Sequence, residues 1–479
     1  MSFTSLQYLV FLAIACLIYF ILSKKLRIYW LLICSYYFYL SWNPKYALLM
    51  LFSTLITYLS GILISKSKEK KLKKIWVFLS VIVNISILIL FKYYSFLIDA
   101  INPIINQIFS LAIPDSLNLL LPIGISFYTF KAISYTIDVY RNDTKVEKNI
   151  FRYALFVSFF PEIIAGPIDK SKDLLPQFYK EHKFSWNNLH HGALLIAIGF
   201  FYKLVIADRA AIVVNQIFNN LDNYTNGGGI YLIFASLLYT MQIYFDFNAL
   251  STIAKGSAKI LGYDITDNFK LPYFATSIKD FWRRWHISLS SWFKEYLYFP
   301  LGGSRKGFIR TQINIMIVFI VSGLWHGAAW TFIIWGALHG VYQVIENIIF
   351  RKRRRKNTLL SKVVGLIITF CLVSFAWIFF RANSLNDAWL IIKNLFDFGM
   401  PIDFNLLGMS LLEFIILGIA LLVVLLLEFA STKMDLLKKF YQKNIIFRWI
   451  FYYILVFSII IFGIYGPGFS TQEFIYIQF

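Results

Sequence analysis

Ile313 to Trp335 is a largely apolar run of 23 residues, and its centre reads Ser322-Gly323-Leu324-Trp325-His326-Gly327-Ala328-Ala329-Trp330. His326 is the one group in the run that ionises. Roughly 20 apolar residues suffice to cross the hydrocarbon core, so the run predicts a membrane span with an imidazole deep inside it. Polar groups at that depth are costly and mark function by default. An imidazole takes up and returns a proton near neutral pH, which makes His326 a candidate general base if it faces a cavity. A core histidine satisfied by hydrogen bonds is the structural alternative.

The rest of the chain agrees with a membrane setting. Of 479 residues, 59% are hydrophobic and 15% charged, where a soluble domain carries about 25% charged residues. Apolar runs lie at about 7–23, 28–42, 45–65, 75–98, 118–139, 151–166, 192–218, 229–248, 311–335, 361–380, 411–429 and 446–465, some of them too short or too polar for simple spans. The first run lacks a basic leader and a small-residue cleavage site, so it is expected to be retained as a helix. Cys16, Cys34 and Cys371 fall inside apolar runs and offer neither a disulfide framework nor metal-ligand spacing. No His or carboxylate spacing suggests a metal site either.

The net charge of +21 arises from 46 basic and 25 acidic residues. Basic loops at Lys24-Lys25-Leu26-Arg27, Lys66 to Lys74, Arg351 to Lys356 and Lys433 to Arg448 read as cytoplasmic. Counting spans from them places both termini outside. The Arg351 to Lys356 cluster lies between apolar runs with no basic domain around it, so it fits anionic lipid heads and not nucleic acid. With no soluble domain, linker or repeat in view, 1–479 reads as one membrane domain, with 466–479 as an extracellular tail.

The segment from Phe281 to Tyr296 carries the second concentration of chemistry. Read as one helix, it gathers Trp282, Trp285, Leu289, Trp292, Phe293 and Tyr296 on one side and Arg283, His286, Ser290 and Lys294 on the adjacent face. Its charges exclude a lipid-facing span, and leave a helix that lines a polar cavity or lies at the interface. His339, thirteen positions beyond His326, lies about 220° around a continuous helix and is expected to face elsewhere as a packing or hydrogen-bonding residue.

These strings resemble the membrane-bound O-acyltransferases, in particular the branch of alginate and peptidoglycan O-acetyltransferase membrane subunits. The resemblance rests on Ser41-Trp42-Asn43-Pro44-Lys45-Tyr46, Leu121 to Phe130, Ile137 to Arg141, Phe159 to Ile168, Lys203 to Arg209, Tyr244-Phe245-Asp246-Phe247, Phe281 to Ser290, Tyr298 to Gly303 and Leu324-Trp325-His326-Gly327. It implies an all-α fold of about 11–13 membrane helices plus re-entrant helices around a central funnel. It also implies His326 as the invariant family histidine, His286 as the second, and Arg283, Ser290, Lys294, Trp325, Asn314 and Asp246 as chamber-lining or substrate-binding residues. Two departures stand near the implied chamber: Asn248-Ala249-Leu250-Ser251-Thr252 follows the Phe245-Asp246-Phe247 string where a small-Gly-Tyr-Ser-Asp pattern is usual, and Glu162 replaces a glutamine.

The function implied is acetyl transfer in a bacterial plasma membrane, from a cytoplasmic thioester, acetyl-coenzyme A, toward a cell-wall or secreted polysaccharide, with no bound cofactor. The tail Phe474-Ile475-Tyr476-Ile477-Gln478-Phe479 resembles the branch's C-terminal motif. By that likeness Tyr476 is a catalytic acyl carrier that hands the group to an extracellular esterase-like transferase of the SGNH type. A phenol leaves more readily than a sugar alkoxide, so onward transfer runs downhill. The alternatives are D-alanyl transfer to teichoic acid and, in another class, a transporter, which would show paired halves that this sequence lacks.

Overall fold

The computed structural model describes residues 1–109, 122–351 and 358–466. Among them the regular structure is helical, with no strand and a single isolated bridge between Gly228 and Phe398. Nine described helices are long and apolar enough to cross a membrane, among them Pro44–Lys66, Lys70–Lys92, Gly229–Leu261 and Leu359–Arg381. Leu6–Ile21, Lys24–Leu40 and Ile125–Arg141 are shorter helices of 16, 17 and 17 residues. The chain is all-α and polytopic, and it divides into two compact units, Met1–Ala193 with Ala254–Thr266, and Leu194–Ile253 with Asp267–Phe479.

In the first unit, hydroxyl and amide groups stitch the helices together at positions where hydrocarbon offers no competing water. Tyr153 donates to Thr57 at 2.7 Å, the Ser80 and Thr136 hydroxyls meet at 3.1 Å, and those of Tyr8 and Ser257 at 2.8 Å. Such interhelical bonds stabilise membrane bundles by about 0.6 kcal/mol each. After helix Ile150–Ser158 the backbone becomes irregular at 159–170, where Lys131 pairs with Glu162 and Asp169 accepts from the Thr266 amide at 3.2 Å. Irregular backbone at membrane depth is tolerated only where it is buried in protein or lines a water-filled cavity, and here it is buried.

The second unit is built around aromatic rings. Trp285, Trp335 and Trp377 are wholly buried, with Trp335 and Trp377 stacked at 5.5 Å and Trp285 against Trp377 at 5.1 Å. Outside this core, Leu412, Ile419 and Leu426 of helix Leu411–Ser431 and Ile446, Ile450 and Ile454 of helix Ile445–Phe462 are exposed, as lipid-facing residues are. Lys203, on a π-helical turn Tyr202–Ala207, is held between Asp208 at 2.7 Å and Asp246 at 2.8 Å, with all three side chains buried.

Candidate functional site

The 23-residue apolar run is not one helix. It forms the facing ends of a helical hairpin, Phe308–His326 and Trp330–Ile349, joined by Gly327-Ala328-Ala329 in largely extended conformation. Small residues make the hairpin close. A Cβ on Gly323 would stand 2.3 Å from the Phe332 carbonyl oxygen, and one on Gly336 2.3 Å from that of Phe319. The hydropathy of the run continues through the turn because the turn is itself apolar, which is why composition read it as a single span. His326 is therefore the last residue of its helix.

That placement surrounds the imidazole with ring edges. His326 is 3% exposed and meets Trp325 at 4.9 Å, Trp335 at 4.9 Å and Phe380 at 5.4 Å between centroids. The turn also corrects the expectation for His339, which is not carried around a continuous helix away from His326. It lies one turn beyond Trp335 and packs on that same indole at 5.1 Å, while its Nδ1 accepts from Trp282 Nε1 at 3.2 Å. Its role as a packing and hydrogen-bonding residue holds.

The Phe281 to Tyr296 segment is also broken. Helix Ile278–Arg284 ends at Trp285, His286 takes a left-handed conformation at φ 42°, and helix Ile287–Phe293 follows, running on into a π-helical turn at Lys294–Tyr298. A left-handed conformation at a non-glycine residue costs on the order of 1–3 kcal/mol and persists only where neighbours hold it. Asn268 does so here. Its carbonyl accepts from the Ile287 amide at 2.9 Å, its Oδ1 from Ser288 at 2.7 Å, and its Nδ2 donates to Ser251 at 3.0 Å, while the Lys270 amide donates to the Arg284 carbonyl at 2.9 Å.

The break sends His286 away from the residues expected to share its face. His286 is wholly buried, edge-on to Phe247 at 4.7 Å and to Trp325 at 6.2 Å. Burial pushes its pKa well below the ordinary imidazole value and keeps the ring neutral. Arg283, Ser290 and Lys294 instead line a cavity of about 1220 Å³ together with Lys279, Glu346 and Arg351. The structure thus brings His286 and His326 together at Trp325 and sets Arg283, Ser290 and Lys294 apart from them on the cavity wall.

Three further candidates stand apart from this cavity. Asn314, wholly buried, donates from Nδ2 to the Gly303 carbonyl at 2.9 Å and fixes the Gly302-Gly303 turn, so it supports the cavity from behind and does not line it. Asp246 belongs to the Lys203 ion cluster and does not line the cavity. Trp325, 4% exposed, stands between the two histidine rings and not on the cavity wall. Tyr476, the tail and most of the Arg351 to Lys356 cluster lie outside the described residues. Among the described residues no three His, Cys, Asp or Glu side chains group as metal ligands.

Sequence reasoning missed Asn268, Ser288 and Trp335 as site residues. Asn268 is a lone amide in a polar connection with no local signal, and it shows its purpose only through the pairing of its own carbonyl with the Ile287 amide and of Lys270 with Arg284.

Residues 34–388, which contain both histidines, match the membrane-bound O-acyltransferase family. The chain belongs to that family. Among curated relatives, this O-acyltransferase is 39% identical over 402 residues to the probable alginate O-acetylase of Pseudomonas aeruginosa, covering 83% of this chain and 75% of the relative. It is 36% identical over 392 residues to the peptidoglycan O-acetyltransferase of Helicobacter pylori, covering 76% and 73%. Identity to the teichoic acid D-alanyltransferase of Bacillus subtilis is 31% over 296 residues, covering 56% and 71%. The protein is thus a multi-pass membrane O-acyltransferase of the alginate and peptidoglycan O-acetylation branch.

Proposed function

We propose that this O-acyltransferase moves an acetyl group from acetyl-coenzyme A on the cytoplasmic side toward an extracellular polysaccharide. The observation that carries the reading is the likeness to O-acetylases over about four-fifths of the chain, against 56% for the D-alanyltransferase. The cavity supports the donor side: Lys279, Arg283, Lys294 and Arg351 face Glu346 alone among its carboxylates, which suits a phosphate-bearing thioester. Arg351 also begins the basic loop whose charge favours the cytoplasm, with both termini outside and the bacterial plasma membrane as the setting.

In this reading His326 takes the proton of an acceptor hydroxyl while its oxygen attacks the thioester carbonyl. The tetrahedral adduct collapses, the C–S bond breaks, and the proton passes to the departing thiolate, leaving an ester and a free thiol. His286, held neutral, donates to the developing oxyanion or orients the thioester. Tyr476 is the first acceptor, and an extracellular SGNH-type transferase takes the acetyl group from its phenol to the glycan. Mass spectrometry of the C-terminal peptide after incubation with acetyl-coenzyme A tests this: an acetyl adduct on Tyr476 is expected, and a persistently unmodified tail in an active preparation overturns the relay.

A further inference from the structure

The cavity and His326 occupy different levels of the same hairpin. Along helix Phe308–His326 the lining runs through Phe308, Thr311, Ile315 and Phe319 and stops there, about 10 Å short of His326 at 1.5 Å per residue. On helix Trp330–Ile349 it begins only at Gln343. What closes the cavity at this level is the Trp282 indole. It faces the cavity, packs on Phe319 at 5.2 Å, and meets His339 at 5.0 Å and Trp335 at 5.8 Å. Trp335 in turn packs on His326. A hydrogen bond from Trp282 Nε1 to His339 Nδ1, 3.2 Å, fixes the ring in place.

The geometry points to Trp282 as the specificity-determining partition of this enzyme, an indole latched by His339 past which only a short acyl group on a thioester arm reaches His326. The inference rests on the thioester-donor reading above. An acyl group that starts beside Arg283 and Lys294 has to pass the Trp282–Phe319 pair, and each added methylene must displace more of a ring that is wedged on three sides. His339 is a positioning residue here: it touches no substrate, and it acts by keeping the indole across the passage. One methylene discriminates by roughly 10–200-fold in a fitted apolar passage, so removing the fit relaxes selectivity by a comparable factor.

Membrane vesicles from cells that produce the full chain are given acetyl-, butyryl- and hexanoyl-coenzyme A, and thiol release is measured as the excess over His326→Ala vesicles. Trp282→Ala is expected to raise the butyryl-to-acetyl rate ratio by roughly 10-fold or more. His339→Gln, which still offers an oxygen to the indole N–H, is expected to keep more of the acetyl preference than His339→Leu. A merely structural role would lower all three rates together and leave the ratio unchanged. Should Trp282→Ala fail to accumulate, Phe319→Ala opens the same wall from the other side, and the same rise is expected. An unchanged ratio in every variant that accumulates overturns the partition while leaving the donor reading intact. Wild-type vesicles that release no excess thiol from any of the three donors overturn the donor reading and the partition with it.

Discussion

His286 and His326, distant in sequence, meet at one ring: both imidazoles lie edge-on to Trp325, at 6.2 and 4.9 Å between centroids. Each is placed by a break in a helix. His326 ends Phe308–His326, and His286 sits in the left-handed joint between Ile278–Arg284 and Ile287–Phe293. Ends and joints of helices allow a side chain to leave the helical surface, and both histidines are delivered into the aromatic core in this manner.

Asn268→Ala removes the amide that holds the His286 joint. Two buried side-chain hydrogen bonds disappear and the Ser251 and Ser288 hydroxyls lose a partner, a cost of about 2–4 kcal/mol. The expected result is a lower melting midpoint in detergent together with at least a roughly 10-fold loss of acyl transfer, since a small misplacement near the chemistry is costly. Normal activity in the folded variant would show that the joint does not depend on Asn268.

Gly336→Ala places a methyl group where the Phe319 carbonyl oxygen already stands at 2.3 Å. Backbone atoms do not yield as a flexible side-chain end does, so the hairpin must open, at roughly 1–3 kcal/mol for overpacking. His326 lies at the tip of this hairpin, and the variant is expected to lose activity along with thermal stability. Thermal unfolding and acyl transfer measured on one preparation check the coupling.

Lys203→Met leaves Asp208 and Asp246 buried without the cation between them. Breaking a buried ion cluster on one side costs about 3–5 kcal/mol. The variant is expected to melt far lower than Lys203→Arg, and equal melting midpoints would contradict the pairing.

Glu162 supplies a pH dependence. It lies in the irregular stretch at 159–170, where burial first and the neighbouring Asp169 next raise its pKa well above the ordinary carboxyl value, against the opposing pull of Lys131. A carboxyl raised in the folded state contributes stability that is fully present below its unfolded pKa and is lost as pH rises through the folded one. The stability that Glu162 contributes should therefore fall as pH increases, and Glu162→Gln should remove that contribution from the slope of melting midpoint against pH. An identical slope in the variant would rule Glu162 out as its source.

Much of the fold was readable because hydropathy reports burial in lipid or protein directly. The apolar runs at 45–65, 229–248, 361–380 and 446–465 each fall on a long helix, and His326 stood out as the lone ionisable group of its run. Hydropathy does not report chain direction. Gly327-Ala328-Ala329 is as apolar as its flanks, so the hairpin at His326 was invisible, and with it the packing of both His326 and His339 on Trp335. Likewise the periodicity of Phe281 to Tyr296 fits one helix well, and the joint at His286 is imposed from outside by Asn268, a contact across the chain that no local pattern records.

The most direct test of the account is acyl transfer by His326→Ala, measured as labelled acetyl moved from acetyl-coenzyme A in membrane vesicles and set against the melting midpoint of the same protein. A general base contributes typically 10²–10⁴-fold, so transfer is expected to fall by about that factor with the fold retained. Undiminished transfer in a folded His326→Ala protein would contradict the assignment of His326 as the base.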